Sequence, residues 1–362
     1  MMNVCSTLRA GTALAVLVAA TAPAAVAQDL SGKTVEFTIP FAESGGSAQW
    51  ANFFAPLLSQ ALPGNPTVVV RYRPGAGSTE GANWFQEQTN GDGTVIFGTS
   101  GSTQFPYLLG DPRVRYEYKD WKVVLSSGTG GVVYLPPDLG AKYDGDFDAL
   151  QGENFLYGSQ GATTLDLVPM LAFKMLGLSV DPVFGIEGRG DGRLMFERGE
   201  ANIDYQTSSA YLKSVVPLVE QNLAVPTFAF GALDADGNVV RDPTFPDLPS
   251  FKEVCEATAG CETSGVAWDA WKAFFVSGFA AQKLIYLPGT ADQATVDMYT
   301  KAFDDIIARP DFAQMSGEVL GEYPQGTGAA ALAANAAAIT VTPEAKQYVL
   351  DWLKADYGVE MK

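Results

Sequence analysis

The chain contains no histidine. Histidine is the usual general base beside a serine or cysteine nucleophile and a frequent ligand of catalytic zinc, so the familiar triads and the HExxH site are excluded. Any catalysis would fall to carboxylates, lysine or tyrosine. Basic residues are also scarce, with 23 Lys and Arg against 41 Asp and Glu and a formal net charge of -18. Such a chain lacks the clustered cations that neutralise phosphates, which argues against nucleic acid as a partner. There is no Walker-type loop and no GxGxxG, because the glycines of Gly188-Arg-Gly-Asp-Gly-Arg193 fall at the wrong spacing. No repeat at a period of ~20 to 50 residues is visible, which argues against a solenoid. Beyond residue 27 no apolar run approaches the ~20 residues of a membrane span. No residue pattern calls for a cofactor or a metal.

What is present begins with an export signal. Met1–Ala27 carries one positive charge, Arg9, an apolar stretch over 13–20, and Ala25-Val26-Ala27 just before Gln28, matching a secretory leader with a small-residue cleavage site. Pro23 interrupts a stretch too short to anchor, and Cys5 precedes the apolar part instead of marking the cleavage point. The chain is therefore expected to be exported. Cleavage leaves Cys255 and Cys261, which in an oxidising compartment either bridge a short loop or remain two free thiols. With 47% hydrophobic residues the chain folds, and its 362 residues allow two domains at ~100 to 200 residues each.

The pattern along the chain is α/β. Thr34 to Ile39 reads as a strand. Trp50, Phe53, Phe54, Leu57, Leu58 and Leu62 then recur on one helical face until Leu62-Pro63-Gly64 ends it. Thr67 to Val70 is a β-branched run, Gly81 to Gln88 is helical, and Thr94 to Phe97 follows the Asn90-Gly91-Asp92-Gly93 turn. The rhythm returns about 120 residues on, where Asn154 to Tyr157 leads through Gly158-Ser159-Gln160-Gly161-Ala162-Thr163-Thr164 into a helical stretch from Leu165 to Leu176. A further strand is predicted at Ala201 to Asp204. Alternating strands and helices predict parallel pairing, and two strand–glycine loop–helix units predict two similar lobes.

Several short motifs follow one another: Pro40-Phe41-Ala42 with Gly45-Gly46, Arg73-Pro74-Gly75-Ala76-Gly77, Asp92-Gly93-Thr94, Tyr157-Gly158-Ser159 with Gly161, Glu197-Arg198-Gly199-Glu200, and Phe245-Pro246-Asp247-Leu248-Pro249. Their order resembles that of the tripartite tricarboxylate transporter substrate-binding proteins, the Bug-type periplasmic receptors, from about Val35 to the C-terminus. The resemblance implies a two-lobed type II periplasmic binding protein, each lobe a mainly parallel sheet flanked by helices with the cleft between them. It also implies no catalysis, a small di- or tricarboxylate as ligand, a monomer, and membrane transporter subunits as partners. Carried over, lobe 1 is 28–127 with 231–362 and lobe 2 is 128–230, with crossings near Val123 to Leu125 and Pro226 to Phe230. This chain departs from the family in the extra Glu43-Ser44, in Gln49 where many relatives have aspartate, and in Val183 to Arg189 where relatives commonly show His-Val-Pro-Tyr-Lys-Gly.

A carboxylate between two lobes needs donors already in place, and the free N–H groups at a helix N-terminus supply them with a favourable dipole. In the first loop the expected contacts are Phe41, Ser44, Gly45, Gly46 and Ser47, with Ser47 equally able to cap the helix. In the second they are Ser159, Gly161, Ala162, Thr163 and Thr164, and at a third strand end Thr99 and Ser100. Arg189 and Arg73 are candidates to face the cleft, Arg193 reads as a surface charge, and Gln206 and Thr207 complete the set while Asp204 fixes loops. Two other readings stand beside the transport receptor: a ligand sensor for a membrane kinase, and a secreted enzyme using Glu187 and Asp191.

Overall fold

The computed structural model describes residues 1–2 and 29–361, so the leader, read from Met1–Ala27, lies largely outside the described residues. Six strands form one sheet: β1 (Thr34–Ile39), β2 (Thr67–Tyr72), β3 (Val95–Gly98), β4 (Lys122–Ser127), β12 (Lys283–Leu287) and β13 (Gln325–Gly326), in the order β13-β4-β12-β3-β1-β2. The second body is built on β5 (Gly131–Leu135) between β8 (Asp204–Thr207) and β9 (Val225–Ala229), with the parallel pair β6 (Asn154–Ser159) and β7 (Ser179–Phe184) beside it. A short ribbon, β10 (Ala232–Leu233) with β11 (Val239–Val240), follows β9.

The α/β two-lobed architecture is the one expected. Its parallel pairing is concentrated in β2-β1-β3 and β6-β7, each joined by a helical crossover. β12 instead runs antiparallel to both neighbours, β3 and β4, because the chain re-enters the sheet there from the other lobe. β5 is likewise antiparallel to β8 and β9. The strand expected at Ala201 to Asp204 lies at Asp204–Thr207, because Ala201 and Ile203 pack as buried approach residues before the ladder with β5 begins.

The helix Gly46–Ala61 buries Trp50, Phe54 and Leu58 at four-residue spacing against Phe37 and Phe303, and Leu62 ends it before Pro63. Four of the five other tryptophans, Trp121, Trp268, Trp271 and Trp352, are buried in cores, while Trp84 lies partly exposed beneath the Arg73 guanidinium at 3.9 Å. The helices Phe251–Ala257, Gly265–Phe275 and Pro343–Tyr357 share one core with Phe155, Leu171 and Tyr205 of the second body. Cys255 and Cys261 are disulfide-bonded, stapling the end of the helix Phe251–Ala257 to the turn after it.

Candidate functional site

Three helices begin at the ends of strands and aim their N-termini at one place. They are Gly46–Ala61 after β1, Gly101–Leu109 after β3, and Arg189–Glu197 after β7. Between them lies a cavity of about 30 Å³ lined by Phe41, Gly45, Gly46, Ser47, Ser100 and Thr207 among others. That is room for two or three water molecules, at roughly 10 to 15 Å³ each. The lobes are therefore shut on each other, and any larger ligand needs them to part.

The contacts that shut them are specific. Ser102 Oγ accepts the Leu165 N–H at 3.0 Å and lies 3.4 Å from Gln160 Oε1. Ser209 Oγ donates to the Gly46 carbonyl at 3.3 Å, and Lys213 Nζ to Gln49 Oε1 at 2.8 Å. Thr163 Oγ1 donates to Asp111 Oδ2 and accepts from Arg113 Nη2, both at 3.2 Å. Thr163 is thus a latch between lobes and does not line the cavity.

Other expected contacts also fall elsewhere. Ser44 is exposed and packs on Gly190 at the rim. Thr99 is buried with its N–H on the Leu284 carbonyl, which anchors β3 to β12. Ser159 Oγ donates to Asp166 Oδ2 at 3.0 Å and accepts from the Gly161 N–H, while Thr164 Oγ1 closes the loop on the Gly161 carbonyl. Gly161 and Ala162 line a separate, open hollow with Thr163 and Arg113. Gln206 Nε2 donates to the Arg189 carbonyl at 2.7 Å and to Asp204, holding β8 against the helix start.

Arg189 corrects a sequence expectation most directly. It borders the cavity, yet its guanidinium points into the second lobe and is shared by Asp166 and Asp204, with further bonds to the Gly158 and Tyr205 carbonyls. Tyr157 and Tyr205 stack against it at 5.0 and 4.7 Å. Burial opposes its charge, but the two aspartates outweigh burial and hold its pKa well above the usual value. Burial raises the Asp204 carboxyl despite Arg189, Tyr134 and Gln206. Its two terminal nitrogens are thus taken by the second lobe, while its Nε has no hydrogen-bond partner. Arg73 is turned away as well, pairing with Glu36 at 3.1 Å on the far side of β1, and Arg193 pairs with Glu197 on the surface. Asp191 accepts the Gly188 N–H, so it caps a helix instead of facing the cavity as an acid.

Ser47 is not the helix cap. Gly45 occupies that position and offers no side chain, while Ser47 Oγ lies 3.4 Å from the Nζ of Lys283. Lys283 and its neighbour Gln282 both line the cavity, and neither was singled out from the sequence. Lys283 is 3% exposed, donates to Gln282 Oε1 at 2.6 Å, and lies 6.0 Å from the Trp50 ring. Burial lowers its pKa to about 7. Gln282 is fully buried, its backbone carbonyl bonded by Gln104, and its Nε2 has no hydrogen-bond partner. The only sequence signal was a lysine heading the otherwise apolar run Leu284 to Leu287.

The fold is that of two-lobed periplasmic binding proteins. The periplasmic binding protein BugD is similar over 91% of this chain and 99% of its own, at 18% identity and TM-score 0.64. MatC from Rhodopseudomonas palustris, solved with bound malate, is similar over 89% and 97% at 14% identity and TM-score 0.61. An R. palustris protein solved with adipate is similar over 92% and 99% at 15% identity and TM-score 0.67. No protein-family model matches the sequence, and no curated protein matches it significantly.

Proposed function

We propose that this protein is a periplasmic solute receptor that captures a small organic carboxylate and delivers it to the membrane subunits of a tripartite tricarboxylate-type transporter. The observation that carries the reading is the shut cavity between two lobes, where helix N-termini converge beside a buried ammonium. Helix ends and an ammonium are donors, so the site suits an anion. Two proteins that share the fold were solved with malate and adipate, both dicarboxylates, which supports an organic carboxylate as the ligand without fixing how many carboxylates it carries. Phe41, Gly45, Gly46, Ser47, Ser100 and Thr207 are the expected contacts that the cavity retains. Closure is a hinge motion whose driving contacts are completed only in the shut state.

The division read from the sequence gives all of 231–362 to the first lobe. The helices Phe251–Ala257, Gly265–Phe275 and Pro343–Tyr357 pack in one core with residues of β5, β6, β8 and β9 and also with Phe105 and Leu109 of the helix Gly101–Leu109, so this core continues across the boundary between the two bodies.

A thermal-shift screen of the exported protein tests the function. A ligand at 100 times its dissociation constant adds about 2.7 kcal/mol. Stabilisation by organic acids with no turnover supports the reading. Stabilisation only by sugars, amino acids or phosphonates sinks it.

A further inference from the structure

We infer that the ligand's anionic group is read by a subsite on the first lobe, Lys283 Nζ and Gln282 Nε2 beside the N-terminus of the helix Gly46–Ala61, and that this subsite selects small monocarboxylates over di- and tricarboxylates. The inference rests on the solute-receptor reading and adds to it the group that recognises charge and the number of charges accepted.

The geometry supplies the recognition. Gln282 and Lys283 enter β12 side by side, and the Gln104 amide, bonded at 3.1 Å to both the Ala281 and Gln282 carbonyls, fixes that entry. Lys283 uses one donor on Gln282 Oε1, which orients that amide and leaves Nε2 buried and unpartnered on a residue that lines the cavity. A buried donor left without an acceptor is costly, and a ligand oxygen would satisfy it. The helix Gly46–Ala61 begins on the same wall, and its cap residue Gly45 brings no side-chain acceptor to its first N–H groups. These donors face one region from one lobe, so the subsite stays assembled when the lobes part.

The charge balance supplies the selectivity. Only two charged side chains, Lys283 and Arg189, line the cavity. Among the described residues Lys283 makes no ion pair, and its hydrogen-bond partners, Gln282 Oε1 and Ser47 Oγ, are neutral. A buried ammonium without a counter-ion is offset by one carboxylate. A second carboxylate reaching across the cavity meets Arg189, whose charge Asp166 and Asp204 already offset although its Nε has no partner. Two buried acids against one guanidinium leave no positive charge for it. The wall of the second lobe offers Gln160 and Thr207, partners for a hydroxyl or carbonyl, and the start of the helix Arg189–Glu197, where the Asp191 carboxylate already takes the Gly188 N–H.

The test is calorimetric titration of the mature protein, Lys283→Met and Gln282→Leu at pH 6.5 with propionate, lactate, succinate, malate and citrate. The expected result is a monocarboxylate that binds about tenfold or more tighter than the dicarboxylate of similar length, or about 1.4 kcal/mol. Lys283→Met is expected to weaken that binding at least about tenfold while the ligand-free protein melts no lower than wild type. Gln282→Leu is expected to weaken it less, because a neutral donor is lost. A di- or tricarboxylate that outbinds both monocarboxylates, or a Lys283→Met protein that binds as wild type, overturns this inference and leaves the receptor reading standing. Silence of every organic acid overturns both.

Discussion

Thr207 Oγ1, on the second lobe, fills the space that a β-carbon on Gly46 would occupy, and Ser209 Oγ lies 3.0 Å from the same point. Gly46 begins a helix on the first lobe and does not have a positive φ. Its lack of a side chain therefore serves the approach of the lobes, not an unusual backbone. Gly46→Val is expected to hold the cleft ajar and weaken ligand binding by roughly tenfold or more. The melting temperature of the ligand-free protein should change much less, since the side chain is accommodated once the lobes part. Calorimetry gives the affinity and small-angle scattering the shape. A variant that binds and compacts like wild type would show that closure does not need this contact.

Lys283 makes stability depend on pH in a stated direction. Its folded pKa is about 7, below the 10.5 of a free lysine, because burial disfavours the charged form. Among the described residues Lys283 donates to the neutral acceptors Gln282 Oε1 and Ser47 Oγ, lies 6.0 Å from the Trp50 ring, and shares its cavity with one other charged group, Arg189. Between pH 7 and 10.5 the unfolded chain binds the extra proton, so stability rises with pH over that window. Below pH 7 the cost of the buried charge is fully present. Lys283→Met should raise the melting temperature most near pH 6 and flatten the rise above pH 7. Parallel melts of the two proteins from pH 6 to 10 decide it, and identical slopes would refute the assignment.

The Thr163 latch is expected to tune affinity without touching ligand. Thr163→Val keeps the shape but removes both hydrogen bonds to the first lobe, while Asp111 and Arg113 retain their own ion pair at 2.6 Å. The shut state should lose about 1 kcal/mol, or roughly fivefold in affinity, mainly as faster ligand release. Stopped-flow dissociation reads this directly. An unchanged release rate would assign Thr163 to packing alone.

Reduction of the Cys255–Cys261 bond should lower stability and spare binding. The two cysteines are six residues apart, and a loop that short is worth about 2 kcal/mol. Neither residue borders the cavity. Melts with and without reductant, with ligand affinity measured in both, check the pair of outcomes. Free thiols in the denatured, unreduced protein would contradict the bond.

The sequence by itself determined the elements and the first wall of the site. Apolar spacing in Trp50, Phe54 and Leu58 and the β-branched runs at Thr34 and Thr67 are local signals, and they placed strands, helices and the Gly45-Gly46 helix entrance correctly because period and turn chemistry act over a few residues. Only the tertiary structure decided which polar side chains reach the cavity. Arg189 and Gln206 were read as ligand contacts from their place near loops, yet Asp166 and Asp204, distant in sequence, claim the guanidinium, and the Arg189 carbonyl claims the amide. Lys283 sits far along the chain from Gly46 and meets it only because β12 inserts beside β3, which no local pattern encodes. A side chain's role in a buried site is set by which partners the fold delivers to it, since desolvated charges and amides must take whatever partner lies within hydrogen-bond reach.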